Sequence, residues 1–228
     1  MYKIILVGLL FCNATWAGQA ETPSRDWNAL REKTITLGLS AERVDQTLEQ
    51  CRRKGLSLSD TETLLRPVYA ASAESLPADC VFMKIEEGLA KQVDAGQVAV
   101  AAGFRLTCLR QAVRLVSSGR PARGGGAQHL IMHTCMALES GLPAEVFQNI
   151  FSRPGGFRYG RMIHVVEAGE VLHLAGLKPE NTQQIMNDCL DRDLNGTETL
   201  RVVDVVLTGR REGKSFESIH AALWIPKD

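Results

Sequence analysis

Apolar residues recur along this chain at helical spacing, in short runs that end in similar punctuation. Val44, Leu48 and Cys51 share one helix face, as do Phe82, Ile85 and Leu89. Between the runs a node returns: a Gly or polar stop, an apolar residue, a cap or proline, then an acidic residue before the next apolar helix. It reads GLSAERV from Gly38, GLSLSDTETLL from Gly55, SLPADCVFMKI from Ser75 and QVDAGQVAV from Gln92. It returns as GLPAEVFQNIF from Gly141, GLKPENTQQIM from Gly176, DLNGTETLRVV from Asp193 and GKSFESI from Gly213. Within each of these two sets successive nodes lie about 17–20 residues apart, which is the signature of a helical repeat. One step is twice as long and places a degenerate node between Gly156 and Tyr159.

Each node combines the chemistry of a helix end with that of a helix start. Gly55, Gly141, Gly176 and Gly213 stand where a left-handed residue is wanted after the last turn. Pro77, Pro143 and Pro179 occupy first-turn positions, where a missing N–H costs nothing. Ser59 with Glu62 has capping-box spacing, and Glu42, Asp60, Glu145 and Glu180 put negative charge at the helix N-terminus. The β-branched run from Val202 to Leu207 is the nearest thing to a strand. It reads as a fully buried helix, because its copy from Leu64 to Ala71 is rich in Ala.

The expected fold is all-α: repeated antiparallel helix pairs, α-solenoid-like, with helices of about 12–14 residues. A longer duplication lies on top of the short repeat. Cys51 follows Gly38 as Cys189 follows Gly176, and LSDTETLL at Leu58 parallels LNGTETLR at Leu194, with a two-residue deletion between the Cys and the TET. The stretch from Gly96 to Ser117 reads as one long helix, and SSGRPARGGGA after it reads as a connection. The domain reading is therefore residues 1–20 as a signal peptide, 21–118 as a first helical block, 119–126 as a Gly/Arg-rich connection and 127–228 as a second block.

The signal peptide rests on Lys3, the apolar run from Ile4 to Phe11 and the small residues Ala14, Thr15, Ala17, Gly18 and Ala20. Cleavage after Ala17 or Ala20 fits. Cys12 raises lipidation as an alternative, but Phe11 is the wrong residue to precede a lipidated Cys. The apolar run is too short to cross a bilayer. The expected location is periplasmic or secreted. Lys+Arg and Asp+Glu both number 26 and aromatics make up 6% of the chain, which argues against a nucleic-acid partner. No cofactor is expected. The expected partner is a protein or peptide; any small-molecule ligand is left open.

The stretch SLPADCVFMKIEEGLAKQVDAGQVAVA resembles a helical repeat of uncharacterised secreted bacterial proteins, worded GLP…KI.EGLAKGV. The similarity is strongest over Gly55 to Val116 and weaker over Gly141 to Leu223. Gln92 stands where that repeat usually has Gly. The resemblance implies an export signal and an all-helical fold, and implies no activity.

Four patterns carry candidate chemistry. His129 and His133, four apart, put two imidazoles on one helix face and are the candidate metal ligands, with Cys135 close in sequence. Asp191, Asp193, Asn195 and Gly196 copy the opening of a calcium loop, but Val202 stands where the bidentate Glu belongs. Glu139 and Ser140 resemble the catalytic Glu-Ser of lytic transglycosylases, without the small-residue segment that follows there; a cell-wall lytic enzyme is the remote alternative. GRPARGGG lacks the phosphate-loop pattern and reads as a small basic patch with Arg114, Arg120 and Arg123. Among the cysteines, hairpin symmetry lets Cys108 bond Cys80 or Cys135, but not both. Cys51 and Cys189 occupy one repeat position and read as core. The leading function is a non-catalytic scaffold; a metal-binding protein using His129 and His133 is the second.

Overall fold

The computed structural model describes residues 26–118, 124–153 and 158–224. The expected signal peptide, Cys12, most of the Gly/Arg-rich connection and part of the degenerate node near Gly156 lie outside these residues. Among the described residues the chain forms α-helices and no strands: α1 Trp27–Ile35, α2 Ala41–Arg53, α3 Leu58–Ala73, α4 Ala78–Ala90, α5 Ala95–Ser117, α6 Gly125–Glu139, α7 Ala144–Phe151, α8 Tyr159–Leu174, α9 Pro179–Asp191, α10 Gly196–Arg211 and α11 Phe216–Leu223. No described helix is long and apolar enough to cross a membrane. Helix lengths run from 8 residues in α7 to 23 in α5, a wider spread than the even spacing of nodes suggests.

The helices stop where the nodes stand. Gly38, Gly55, Ser75, Gln92, Gly141, Gly176, Asp193 and Gly213 all have positive φ. Three of these are not glycine, so the left-handed conformation is imposed by its place in the chain even where a Cβ makes it costly. In seven of the eight, the next residue donates its N–H back to the carbonyl five residues before it, as Leu56 does to Cys51 and Leu194 to Cys189, both at 3.0 Å. This is the Schellman closure, which satisfies carbonyls that the helix leaves open.

Helix starts are capped as the node chemistry requires, with one shift. The capping box of α3 is Ser57 with Asp60, not Ser59 with Glu62, because α3 starts at Leu58. Asn195 and Glu198 form the matching box on α10. The shift also removes the two-residue deletion from the long duplication. Cys51, Gly55, Ser57, Asp60 and Thr61 answer Cys189, Asp193, Asn195, Glu198 and Thr199 without a gap. Thr61 and Thr199 are both buried and donate to the N-cap carbonyl at 2.9 Å.

Packing follows the chain order with a regular skip. Helices α1, α3 and α5 lie side by side; α6 lies along α5, α8 along α6 and α10 along α8. Against this row pack α2 and α4 in the first half and α7, α9 and α11 in the second. Helices α6, α8 and α10 run in the same direction. Tyr159 at the start of α8 abuts Gly126 at the start of α6, and His164 abuts Gly196 at the start of α10. At their other ends, His173 approaches Gly141 and the Arg210 guanidinium donates to the Gly176 carbonyl at 2.8 Å. One continuous apolar core runs from Leu30 to Ile219 and joins the halves through α5 and α6.

The run from Val202 to Leu207 is helical, as expected, but not fully buried: Val202, Val203 and Val206 face the core while Asp204 and Val205 face solvent. Helix α6 begins at Gly125, so the end of the expected connection belongs to a helix.

Candidate functional site

The inward stripe of α5 reads Val98, Ala102, Arg105, Leu109 and Ala112. Arg105 interrupts this apolar stripe, and its residue is only 9% exposed. A guanidinium so placed requires partners, because an unpaired buried charge is strongly destabilising. Arg105 Nε donates to Glu139 Oε2, and Nη1 donates to the Cys80 thiol sulfur at 3.6 Å. Glu139 is the last residue of α6, and its other oxygen lies 2.8 Å from Lys84 Nζ on α4. Lys84 also reaches Glu87 at 3.1 Å. One carboxylate therefore ties α4, α5 and α6 together.

The cysteines complete the cluster. Cys135 on α6 donates from its sulfur to the Arg105 carbonyl at 3.5 Å, so Cys80 and Cys135 both contact Arg105. The neighbouring Cys135 lowers the Cys80 thiol, against the opposing effect of burial and with help from the Arg105 guanidinium. Cys80, then burial, raises the Cys135 thiol. Burial, then Glu139, pushes Cys108 up to about 11. Burial would lower the Lys84 ammonium, but its bonds to Glu139 and Glu87 outweigh burial and raise it. On α8, burial raises Glu170; Arg105 opposes this, while Glu139 and Glu167 reinforce it.

The expected metal pair, His129 and His133, stands one turn apart on α6. His129 is exposed on α6. His133, one turn on, places Nδ1 3.3 Å from Glu167 on α8, and His164 places its Nδ1 3.3 Å from the other oxygen of Glu167. Among the described residues no group of three or more His, Cys, Asp or Glu is arranged to hold a metal ion. The calcium-like residues have other tasks. Asp191 pairs with Arg153, Asp193 pairs with Arg161 and Asn195 caps α10. Both Glu139 oxygens are held by cations, which is the arrangement of a structural ion pair rather than of a free general acid. The sequence puts Cys108 with Cys80 or with Cys135; in the structure all three are buried free thiols, and Cys80 and Cys135 are the two that hydrogen-bond to Arg105.

Above the charge cluster the row carries exposed apolar side chains. Val100 and Phe104 stand out from α5 at 74% and 51% exposed. Met136 is exposed on α6, and Val171 and Leu174 on α8. Phe104 adjoins Arg105 in sequence, Met136 lies one turn before Glu139, and Val171 and Leu174 flank His173, which approaches the end of α6. The five residues stand on three helices that pack in sequence, α5 on α6 and α6 on α8.

Sequence reasoning missed Arg105, Lys84, Glu167 and Glu170. Arg105 had a signal: a charged residue at a position where helical spacing calls for an apolar one. Comparison of the chain with protein-family models, with curated proteins and with solved structures finds no match.

Proposed function

We propose that this chain is an exported, non-catalytic helical-repeat scaffold that holds a protein or peptide partner across α5, α6 and α8. The observation that carries the reading is the apolar ridge of Val100, Phe104, Met136, Val171 and Leu174 on three neighbouring helices. Single surface apolar residues are ordinary; several large ones exposed on neighbouring helices favour an interaction surface. The recurring left-handed helix ends support the repeat, and stacked helix pairs create extended surfaces of this kind. The charge cluster beneath gives the ridge a fixed spacing by tying α5 to α6 and α4.

Site-specific photo-cross-linking in the producing organism tests this. A cross-linking residue placed at Phe104, at Met136 or at Leu174 is expected to capture one common partner. The same residue at Gln46, exposed on α2, is expected not to capture it. Equal yields at all four positions, or a different adduct from each ridge position, would overturn the proposal.

A further inference from the structure

We infer that the chain pairs with a second copy of itself through α10, the two helices running antiparallel about a two-fold axis near Val202 and Val203. Thr197, Leu200, Arg201, Asp204, Val205 and Thr208 are all exposed and fall on one face of α10. The order of these six is self-complementary. Counted outward from the middle, a cation stands against an anion (Arg201 and Asp204), an apolar residue against an apolar one (Leu200 and Val205) and a threonine against a threonine (Thr197 and Thr208). Antiparallel pairing lays each of them on its opposite number in the second copy. A two-fold contact of this kind uses one patch twice, so the patch must complement itself. The remaining exposed residues of α10 bond within the chain: Glu198 to the Asn195 N–H, Arg210 to the Gly176 carbonyl and Arg211 to the Thr208 hydroxyl.

The place of α10 in the fold says why this face takes a helix. In the row, α6 lies between α5 and α8, and α8 lies between α6 and α10. Beyond α10 no described helix continues the row, and Leu200 and Val205 stand 67% and 44% exposed. The other end of the row differs: the exposed residues of α1 are Asn28, Ala29 and Glu32, the polar outer face that closes a stack of helices. Beside Val205 and Thr208 a groove of about 540 Å³ opens between α10 and α11, lined also by Ile219 and Ala222. Leu200 of the second copy, opposite Val205, has this groove to enter. Arg201 and Asp204 make no hydrogen bond or ion pair with any described residue, so both charges are available to the second copy. Their signs cancel, which fits this face to its own copy rather than to a strongly charged partner. The pairing uses none of the ridge residues on α5, α6 and α8 and does not depend on that reading.

The test is sedimentation velocity of the full chain and of two charge variants, alone and mixed, at concentrations up to about 200 µM, since pairing follows mass action. The wild type is expected to sediment as a dimer at the upper end of that range. Arg201→Glu alone sets carboxylate against carboxylate at both symmetric contacts, and Asp204→Arg alone sets guanidinium against guanidinium. Each is expected to weaken pairing at least about tenfold, because like charges suppress a contact. An equimolar mixture of the two variants restores opposite charges at both contacts and is expected to pair within about threefold of the wild type. Both side chains are exposed, so both variants keep the fold. A wild-type monomer at the highest concentration, a dimer indifferent to both variants, or a mixture that pairs no more tightly than its components would overturn the inference.

Discussion

Glu139→Gln removes one negative charge from a site that holds two cations. The Arg105 side chain is 10% exposed and that of Glu139 15%, so water screens the pair poorly. Breaking a buried ion pair from one side costs about 3–5 kcal/mol. Two features reduce that figure here. Lys84 keeps Glu87 at 3.1 Å, so only Arg105 is stranded. The Gln amide oxygen can still accept one N–H from Arg105. The expected loss is about 2–4 kcal/mol, which for a chain of this size lowers Tm by roughly 5–15 °C. Arg105→Met is expected to cost less, because Glu139 retains Lys84 at 2.8 Å. The double variant Arg105→Met with Glu139→Leu replaces the pair by apolar side chains and is expected to recover most of the loss. Urea unfolding followed by far-UV circular dichroism measures all of these. A Glu139→Gln loss below about 0.5 kcal/mol, or simple additivity in the double variant, would refute a coupled buried pair.

Other outcomes follow from single positions. Gly88→Ala and Gly103→Ala both gain about 1 kcal/mol of helix propensity, but only the first meets an obstacle: its Cβ would come 2.6 Å from a stiff Val98 methyl, whereas Gly103 has nothing within 4 Å. Thermal melts should therefore show Gly103→Ala stabilised and Gly88→Ala destabilised by up to about 2 kcal/mol. Gln92→Gly relieves a left-handed residue at φ 59° and should stabilise by about 1 kcal/mol in the same assay. Burial, then Asp188, raises the Cys189 thiol from 9.0 to about 11, so the stability it contributes is full below pH 9 and is lost as pH rises through 11. Cys189→Ala should flatten the alkaline fall in stability over that window by about 2–3 kcal/mol, measured as the difference in slope between urea titrations across the range.

The helix ends were the most legible feature of the sequence. The eight named node residues, from Gly38 to Gly213, are all left-handed stops, because Gly, cap and proline chemistry is local and acts within a turn or two. Ser75, Gln92 and Asp193 could be placed only by spacing, since nothing in their own chemistry calls for positive φ. The capping box was misplaced by two residues because Ser59 and Glu62 have the same spacing as Ser57 and Asp60; the TET shared by the two stretches suggested a deletion, although the buried threonines that correspond, Thr61 and Thr199, sit at different places in that motif. The charge cluster was harder to see because its members are distant in sequence. Glu139 was singled out on the strength of the Ser140 beside it, yet its partners Arg105 and Lys84 come from other helices. His133 was paired with His129 on its own helix; the structure places it against Glu167 on the next. Spacing shows what shares a face of one helix, and packing decides what faces it.

The central claim is that Val100, Phe104, Met136, Val171 and Leu174 form one binding surface set by the Arg105–Glu139 tie. The most direct measurement is the affinity of the cross-linked partner for the wild-type chain and for a Phe104→Ser, Leu174→Ser variant. Both side chains are more than half exposed, so the variant should keep its unfolding free energy within about 1 kcal/mol. It is predicted to bind at least about 30-fold more weakly, as loss of central apolar anchors does. Wild-type affinity in a folded variant would contradict the account.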